Sequence, residues 1–462
     1  MGAGKSTIGE EVAHRLGRRF VDVDRELEAQ AAVSVSELFA TRGEAEFRVL
    51  EQRVSRDQLI SGEPAVIALG GGALGSEATR RLLRSQALTV LVPVDVDKAW
   101  RRSKDSNRPL AGSEERFRAL FEQRRPVYEA VADATATDAD DVVLAAGGVE
   151  IRLGLLEELG SLIPGEGAVA LVADAHVLGI YGAVAQLALG SRLQSTHTVP
   201  AGEQAKTLGA CQRLWRELTL DRAGSTVALG GGCTTDVAGF VAATYLRGVD
   251  WVPVPTTLVG QVDAALGGKT AVDLPAGKNL VGAFYWPVRT LVDPALLETL
   301  PEEERKAGLA EVVKTGLLAG ESLWELPDPE LVRRCAAFKI EVCLRDPEDR
   351  GERAMLNLGH TFAHALEAAS DHVLAHGEAV ALGLTAALRL SGLEQEARRV
   401  EELLRPTPAR VDPERAWSAL LRDKKRSGSE PRLVLLEAPG KPLLDVELPS
   451  REVRRALEAL IA

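Results

Sequence analysis

Residues 230–284 have the sequence GGGCTTDVAGFVAATYLRGVDWVPVPTTLVGQVDAALGGKTAVDLPAGKNLVGAF, and this stretch decides the fold of the larger part of the chain. The apolar run at residues 226–229 leads into three glycines, and a segment of small residues typical of a helix follows Asp236. A strand that ends in glycines before a helix lets the backbone approach a phosphate, whose charge is favoured at the helix N-terminus. The pattern therefore predicts a phosphate-binding turn between a strand and a helix.

Two lysines follow this turn in glycine-rich segments. Lys269 lies in GGKT and Lys278 in GKN, after a short apolar piece that ends in Thr256 and Thr257. A single lysine in a loop is usually a solvated surface group, and this is the ordinary alternative. Two such lysines beside a glycine turn and a threonine pair favour an anion-binding site.

The composition bounds the class of protein. A chain of 462 residues is long enough for two or three domains, and its net charge of -12 argues against a general nucleic-acid or anionic-membrane surface. No apolar run approaches the length of a membrane span, and the N-terminus has no secretory apolar region. The four cysteines form neither a CxxC pair nor a disulfide framework. We therefore expect a cytoplasmic protein that acts on small molecules.

The chain begins with a phosphate-binding motif. Gly2, Gly4, Lys5, Ser6 and Thr7 belong to the sequence GAGKST, which is the end of a Walker A loop. In such a loop the backbone amides cradle phosphates, the lysine reaches the outer phosphates and the serine ligates magnesium. A chance glycine–lysine turn is the alternative, and the amphipathic helix that follows the motif disfavours it.

The front of this motif lies outside the sequence. The full pattern has a further glycine two residues before Met1, preceded by a buried strand. Because the first strand of such a domain sits inside the parallel sheet, we expect the working protein to begin upstream. On this hypothesis a protein that began at Met1 would be a weak or inactive kinase, and the mass of the natural protein distinguishes the two cases.

Further motifs follow the loop in a fixed order. They are FVDVD at residues 20–24, EFR at 46–48, GGG at 70–72, RPL at 108–110 and RRPVY at 124–128. In this order, after GAGKST, they resemble the shikimate kinase family over about the first 140 residues. Gluconate kinase is the nearest alternative on the same fold, but the spaced arginines suit a carboxylated ring.

This resemblance implies an ATP site and a substrate site. Lys5 and Ser6 would bind ATP with Mg²⁺, and Arg108 would lie in a lid and stabilise charge on the transferred phosphoryl group. The residues implied to hold shikimate are Asp24, Arg48, Gly70, Gly71, Gly72 and Arg124. A kinase-like module retained only for binding or stability is the alternative of a different class.

The C-terminal part has long helical periodicity and a cluster of metal-binding residue types. Glu311 and Lys314 are three residues apart on one helix face, and His360, His364, His372 and His376 follow within a short span. Four histidines near an apolar-flanked glutamate predict a metal site, although a structural role is usual for a lone histidine. The glutamate of an HExxH motif is absent, so the sequence pattern leaves open which three residues bind the metal.

A long series of motifs resembles the 3-dehydroquinate synthase family from about residue 150 onward. The series is GEQAK, GGGCTTD, RG, PTTL, QVD, GGKTAV, GKN, GAF, LPEEE, GLAEVVK, NLGHTFAH, HGEAV and DKK. Cys233 and Thr234 stand in the turn where the family usually has another glycine, so dinucleotide packing is expected to differ there. The segment before Ala168 is also short, which leaves the family's outer hairpin in question.

The resemblance implies three groups of residues. Zinc or cobalt would be bound by Glu311, His360 and His376. NAD would lie along Asp174, Glu203, Lys206, Gly231, Gly232, Cys233, Thr234, Thr235, Asp236, Thr256, Thr257, Lys269, Lys278 and Thr299. Substrate binding and catalysis would fall to Asp263, Lys269, Lys278, Asn279, Lys314, Lys339, Arg353, Asn357, His364, Lys424 and Lys425.

These observations predict an α/β chain of three domains. A P-loop kinase domain with a parallel sheet spans residues 1–148 and lacks its first strand, a NAD-binding α/β domain spans 149–292, and an all-helical metal- and substrate-binding domain spans 293–462. A homodimer through the synthase part is compatible with this organisation.

The implied reactions are two steps of aromatic precursor synthesis. One is the cyclisation of 3-deoxy-D-arabino-heptulosonate 7-phosphate to 3-dehydroquinate and phosphate, and the other is the phosphorylation of shikimate by ATP. A sugar-phosphate cyclase of the same superfamily fused to an inactive kinase-like module is the alternative, and a glycerol-type dehydrogenase is a further rival. The GGKT and GKN segments and the second histidine of NLGHTFAH favour the dehydroquinate reaction.

Overall fold

The structure is a computed structural model that describes residues 2–104, 113–275, 277–371, 373–423 and 430–462. The chain divides into two compact units, Met1–Gly147 and Gly148–Ala462. Four residues of the sequence analysis, Arg108, His372, Lys424 and Lys425, lie outside the described residues.

The first unit alternates helices with short strands, and its strand pairings are parallel, as predicted. Asp22 ends the first strand and caps the following helix through the backbone amide of Asp24, so Asp24 lies in a helical turn. The elements are α1 Lys5–Arg15, β1 Arg19–Asp22, α2 Val23–Ala31, α3 Val35–Leu59, β2 Ala65–Ala68, α4 Glu77–Gln86, β3 Val90–Leu91, α5 Val96–Ser103, α6 Glu114–Val131, β4 Ala134–Thr135 and α7 Ala139–Ala146.

In the described part of this unit the strands form two separate pairs, β1 with β2 and β3 with β4. A cavity of about 270 Å³ lies between the two pairs and has mainly apolar walls. Ile67 and Leu69 line it from the side of β2, Val90 and Val92 from the side of β3, and Lys5 lies at its wall. The phosphate loop therefore borders a gap between the strand pairs.

The second unit opens with an α/β layer. Its elements are β5 Val149–Ile151, α8 Leu159–Leu162, β6 Val169–Asp174, α9 Ala175–Leu189, β7 Leu193–Val199, α10 Leu208–Glu217, β8 Ser225–Gly230, α11 Gly232–Thr244, β9 Asp250–Pro255, β10 Lys269–Leu274, β11 Gly277–Phe284 and β12 Thr290–Val292. The main sheet is parallel with the order β7-β6-β8-β9, and β10 pairs with β11 as an antiparallel hairpin.

The sequence of the central strands explains their position. β6 (VALVAD) and β8 (STVALG) are almost continuously apolar, which is the pattern of strands covered by helices on both faces. Every residue of both strands is buried. Because all four strands are parallel, Asp174, Gly230 and Pro255 end their strands at the same edge of the sheet.

The C-terminal part is helical, as predicted, with one addition. Its elements are α12 Glu302–Ala319, α13 Asp328–Arg345, α14 His360–Ala369, α15 His376–Leu390, α16 Glu394–Leu404, α17 Pro413–Asp423, β13 Arg432–Ala438, β14 Lys441–Glu447 and α18 Ser450–Glu458. The antiparallel hairpin β13–β14 turns at Gly440, whose φ is +81°, and the prediction of an all-helical part missed it. No helix of the described residues is long and apolar enough to cross a membrane.

Glycines let the helices of this part approach closely. A Cβ atom at Gly383 of α15 would lie 2.1 Å from the carbonyl oxygen of Gly359, directly before α14. A Cβ atom at Gly377 would lie 2.2 Å from Cα of Ala307 in α12. In both cases the added Cβ would overlap backbone atoms that cannot rotate away, so a larger residue would force the helices apart. Glu311 lies in α12, and His360 and His376 begin α14 and α15. The glycines therefore let these three helices pack closely.

We predict that Gly383→Ala lowers the free energy of unfolding by about 1–3 kcal/mol, because the added methyl overlaps the Gly359 carbonyl. The matched control is Gly179→Ala in α9, where an added Cβ meets no heavy atom within 4 Å. That substitution should be neutral or stabilising by up to about 1 kcal/mol, since alanine favours a helix. Urea denaturation followed by circular dichroism measures both, and equal stabilities would contradict the prediction.

Candidate active sites

One glutamate and two histidines come together in the second unit. Glu311 lies inside α12, while His360 and His376 are the first residues of α14 and α15. Glu311 Oε1 lies 3.0 Å from His376 Nε2 and 3.4 Å from His360 Nε2. One ligand atom from each of the three residues lies within 4.8 Å of the others. A carboxylate with two imidazoles is a donor set of catalytic zinc sites, so these residues fit a divalent metal.

The neighbouring histidine His364 differs from this trio. The ring of His364 is edge-on to that of His360, with centroids 5.5 Å apart, and is not part of the three-residue group. The spacing of the residues along α14 places His364 one turn further into the helix than His360. His364 is thus next to the metal candidates, where a substrate group could be reached.

A network of buried charges surrounds Glu311. Lys314 Nζ contacts Glu311 Oε2 and donates to Asp263 Oδ2 at 2.7 Å, and Lys339 contacts the other oxygen of Asp263. Burial opposes ionisation of Glu311, but Lys314 and His360 hold its pKa well below the usual range. Burial likewise opposes protonation of Lys314, and the carboxylates of Asp263 and Glu311 outweigh it and raise its pKa. Both groups therefore stay charged inside the protein.

Asp263 owes its position to an irregular turn. It lies in a π-helical turn, Gly260–Ala264, which follows the strand β9 after a short connection at residues 256–259. π-helical turns are rare and often occur at functional sites. The turn places the carboxylate of Asp263 between the edge of the sheet and the helices α12 and α13.

The next turn of the chain carries Lys269. Its ammonium donates to Asp349 Oδ2 at 2.5 Å, and burial lowers its pKa despite this partner. Arg353 is 1% exposed and donates to the carbonyl oxygens of Gly267 at 2.9 Å and of Pro347 at 3.1 Å. Arg353 therefore anchors the glycine turn beside Lys269. Asn357 ends the 3-10 helix that contains Arg353.

The predicted phosphate-binding turn lies at the edge of the main sheet. Gly231 caps α11, and the amides of Thr234 and Thr235 bond back to its carbonyl oxygen. A Cβ atom at Gly231 would lie 3.0 Å from Thr257 Cγ2, and one at Gly232 would lie 2.8 Å from the Cβ of Ala264. Only glycine leaves the backbone accessible at this approach. The turn thus forms a cradle at a helix N-terminus, which fits a dinucleotide pyrophosphate.

Three of the other predicted dinucleotide residues, Thr256, Cys233 and Asp174, lie at this edge. Thr256 bonds through its amide to the carbonyl oxygen of Gly230, and Cys233 lies in the first turn of α11. Asp174 accepts from the amide of Val177 at 2.9 Å and so caps the N-terminus of α9. Thr299 contacts the hydroxyl of Tyr181 at 2.8 Å.

Lys206 joins this edge to the hairpin β10–β11. Its ammonium donates to Asp236 Oδ2 at 2.7 Å and contacts the side chain of Asn279. Burial raises the pKa of Asp236 to about 6, although Lys206 opposes the shift. Lys278 of the hairpin donates to Glu203 Oε1 at 3.0 Å. The amide of Lys206 donates to the carbonyl oxygen of Glu203 at 2.9 Å, so Glu203, Lys206, Lys278 and Asn279 form one connected cluster.

Glu367 also belongs to this site, and it was not predicted from the sequence. This residue is 2% exposed, and its Oε1 lies 3.4 Å from His376 Nδ1 and 3.3 Å from Lys278 Nζ. The spacing of His360, His364 and Glu367 in the sequence places the three side chains on one face of a helix. A glutamate near histidines is common on helices, so that spacing alone did not single it out.

The first unit gathers its predicted residues around the turn at 70–72. Arg48 donates to Glu51 Oε2 at 2.6 Å, and a Cβ atom at Gly72 would overlap the guanidinium of Arg48. A Cβ atom at Gly70 would lie 3.0 Å from Asp24 Oδ1, and the Tyr128 hydroxyl donates to the Gly71 carbonyl at 2.5 Å.

Charges reinforce this arrangement. Burial raises the pKa of Glu51, while Arg48 and, more weakly, Arg124 oppose the shift. The unit thus places two arginines and an aspartate at a glycine turn. Glu51 was not predicted from the sequence.

The phosphate loop is also ordered. Gly4 caps α1 with a φ of +88°, a conformation that favours glycine. Ser6 Oγ donates to Asp22 Oδ2 at 2.6 Å. A hydroxyl and a carboxylate side by side after a phosphate loop are the ligand types that Mg²⁺ prefers, so these residues fit a magnesium–nucleotide complex.

Three known protein families match successive parts of the chain. The family described as shikimate kinase matches residues 1–147, the family described as 3-dehydroquinate synthase N-terminal matches residues 196–307, and the one described as 3-dehydroquinate synthase C-terminal matches residues 308–426.

Individual relatives point the same way. The chain is 42% identical to a 3-dehydroquinate synthase of Symbiobacterium thermophilum over 347 residues, covering 68% of this chain and 97% of the relative. It is 41% identical to a 3-dehydroquinate synthase of Gloeobacter violaceus, covering 71% of this chain and 98% of the relative.

Solved structures resemble the second unit. A 2-deoxy-scyllo-inosose synthase complexed with carbaglucose-6-phosphate, NAD⁺ and Co²⁺ aligns with a TM-score of 0.61 and 27% identity, covering 67% of this chain and 96% of that chain. A 2-epi-5-epi-valiolone synthase of Streptomyces hygroscopicus with NAD⁺ and Zn²⁺ bound aligns with a TM-score of 0.61 and 25% identity, covering 68% and 96%. The second unit therefore has the fold of these synthases.

The chain belongs to the 3-dehydroquinate synthase family and carries a shikimate kinase domain in residues 1–147.

We predict that metal affinity rises with pH. Burial opposes protonation of His376, but its hydrogen bonds to Glu311 and Glu367 outweigh burial and raise the pKa of the imidazole to about 10. Below that pH a metal must displace the proton, so affinity should increase by about tenfold per pH unit for one displaced proton. Chelator competition with Co²⁺ between about pH 6.5 and 8.5 measures this. The control is His376→Ala, whose residual affinity should change less steeply, and an affinity independent of pH in the unmodified protein would contradict the prediction.

Proposed function

We propose that this chain catalyses two steps of aromatic precursor synthesis. The second unit converts 3-deoxy-D-arabino-heptulosonate 7-phosphate into 3-dehydroquinate and phosphate, and the first unit phosphorylates shikimate with ATP. The observation that carries the assignment of the second unit is the group of the buried Glu311 with the half-buried His360 and His376, which a charge network through Lys314 joins to Asp263. Identities of about 40% to 3-dehydroquinate synthases, against 25–27% to the two other cyclases, support this substrate over the alternative sugar phosphates.

The cofactors of the second unit follow from its donor groups. Glu311, His360 and His376 hold Zn²⁺ or Co²⁺, and the cradle at Gly231 and Gly232 holds NAD. When bound, the metal polarises a substrate hydroxyl and the dinucleotide takes up and returns a hydride, so no net oxidation occurs. Cyclase structures with NAD⁺ and Co²⁺ or Zn²⁺ support this pair of cofactors.

The chain's own residues bind and orient the substrate. Lys314 and Lys339 keep Asp263 ionised, so its carboxylate can accept hydrogen bonds from substrate hydroxyls. Lys269, Arg353, Asn357 and His364 hold the phosphate, with Arg353 acting through the turn that carries Lys269. Lys278, Lys339 and Asn279 hold the carboxylate and hydroxyls. Positioning supplies much of the rate, and the departing phosphate can accept the proton of the elimination.

The first unit holds a nucleotide and a carboxylated ring. Backbone amides after Gly4, together with Lys5, bind the phosphates of ATP, and Ser6 with Asp22 holds Mg²⁺. Asp24 accepts from a ring hydroxyl, while Arg48 and Arg124 bind the carboxylate of shikimate. Glu51 holds the guanidinium of Arg48 in place for this contact.

Cys211, Cys335 and Cys343 are free and buried, which supports a reducing, cytoplasmic location.

The exposed apolar side chains of Leu280, Phe284 and Val288 on and after β11 support a homodimer through the synthase part.

We predict that Lys5→Ala abolishes shikimate-dependent ADP formation, by at least about 100-fold, because a cation on the outer phosphates is lost. Release of phosphate from the seven-carbon substrate should be unchanged in the same sample. The control is Lys98→Ala, an exposed lysine of α5 in the same unit, which should retain both activities. A kinase rate in Lys5→Ala equal to that of the unmodified chain would contradict the assignment.

We predict the reverse for His360→Ala. Removal of one of three metal ligands should abolish bound Zn²⁺ or Co²⁺ and the cyclisation, while shikimate phosphorylation persists. The control is His176→Ala, an exposed histidine of α9, which should keep metal and both activities. Elemental analysis and a coupled assay for 3-dehydroquinate measure the outcome. Accumulation of NADH in step with substrate loss would instead indicate a dehydrogenase.

A further inference from the structure

We propose that Glu367 is a positioning residue of the metal site, which holds the second ring nitrogen of His376 and ties that ligand to Lys278 of the substrate hairpin. The inference rests on the proposed function of Glu311, His360 and His376 as metal ligands. Glu367 is not one of those ligands, and its role is to orient one of them.

The two nitrogens of His376 face two different carboxylates. Nε2 lies 3.0 Å from Glu311 Oε1, on the side of the three-residue group, and Nδ1 lies 3.4 Å from Glu367 Oε1. If Nδ1 carries the proton and donates it to Glu367, then Nε2 has a free electron pair for a metal. A carboxylate on the far nitrogen of a ligating histidine selects this tautomer, fixes the ring and raises its basicity. Glu367 occupies that place.

The fold makes the contact specific. Glu367 lies on α14, about two turns after the ligand candidate His360, and so shares its face of the helix. His376 begins α15, which packs against α14 over backbone contacts at Gly359 and Gly383. One helix therefore supplies a metal ligand and also the group that orients another ligand from the neighbouring helix.

The same carboxylate binds the hairpin. Lys278 Nζ lies 3.3 Å from Glu367 Oε1 and 3.0 Å from Glu203 Oε1. It therefore bridges α14 and the 3-10 turn that follows β7. Glu367 is 2% exposed, and a carboxylate so deeply buried requires cationic partners. A loss of this charge would release both the ring of His376 and the ammonium of Lys278. The metal ligand and the anion-binding hairpin are therefore connected through one residue.

A counter-ion with only a structural role would show different behaviour. Glu367→Gln keeps the size of the side chain and an oxygen acceptor but removes the negative charge. A structural role predicts a change in the unfolding midpoint with unchanged metal affinity. A positioning role predicts weaker metal binding and a different coordination geometry in a chain that still folds.

The test uses the full chain, stripped of metal and titrated with Co²⁺ against a chelator. Glu367→Gln should weaken Co²⁺ binding by about 10- to 100-fold, the usual effect of removing such a partner, and shift the visible absorption bands of bound Co²⁺. The matched control is Glu378→Gln, two residues after His376 on the same helix, whose carboxylate binds Lys306 at 3.2 Å. The control should bind Co²⁺ as the unmodified chain does.

The outcomes separate this inference from the proposed function. Failure of the unmodified chain to bind Co²⁺ or Zn²⁺ would refute the metal site itself. Binding by Glu367→Gln as tight as in the unmodified chain, with the same spectrum, would overturn the role of Glu367 alone. If Glu367→Gln does not fold, Glu367→Asp decides, because it keeps the charge and withdraws the oxygen from Nδ1. Weaker Co²⁺ binding by that variant supports the proposal, and unchanged binding overturns it.

Discussion

The buried carboxylate of Glu311 is the constraint on which the second unit depends. It is 1% exposed in the middle of α12, and it contacts Lys314, His360 and His376 from three helices. A charge in such a place is tolerated only when its partners are present and well placed, and loss of one partner leaves it uncompensated. The helices α12, α14 and α15 must therefore keep their relative positions for the protein to remain folded. The contacts that compensate the buried charge of Glu311 also bring together Glu311, His360 and His376, which could bind a metal.

The charge network extends from the helices to the sheet. Lys314 joins Glu311 to Asp263, which lies in the irregular turn after β9, and Lys339 binds the same aspartate from α13. A second bridge runs from Lys278 of the hairpin to Glu367 of α14. The edge of the sheet and the group of Glu311, His360 and His376 cannot separate without breaking these ion pairs. On the proposed function, a hydride transfer would need such fixed distances, because orientation of the reacting groups supplies a large part of the rate.

The first unit applies the same principle on a smaller scale. Glu51 is buried against Arg48, and this ion pair lies at the glycine turn 70–72 with Asp24 beside it. Arg48 donates through Nη1 to Glu51 at 2.6 Å and through Nη2 to Glu44 at 3.2 Å, and these two contacts use two of the five N–H donors of a guanidinium. Packing and recognition are again carried by the same few charges.

Local sequence determined the elements of this protein, because glycine turns, apolar runs and helical spacing act over a few residues. The strand and helix at 225–244, the phosphate loop at residues 2–7 and the helices that carry Glu311 and His360 were all predictable in this way. Which three of five candidate ligands meet was left open by the pattern, since Glu311 and His376 are 65 residues apart. Among the described residues, the tertiary structure brings Glu311, His360 and His376 together. Gly359, Gly377 and Gly383 let three helices approach, and that approach also places Glu367 beside His376. Contacts of this kind depend on how whole helices pack, and no short pattern records that.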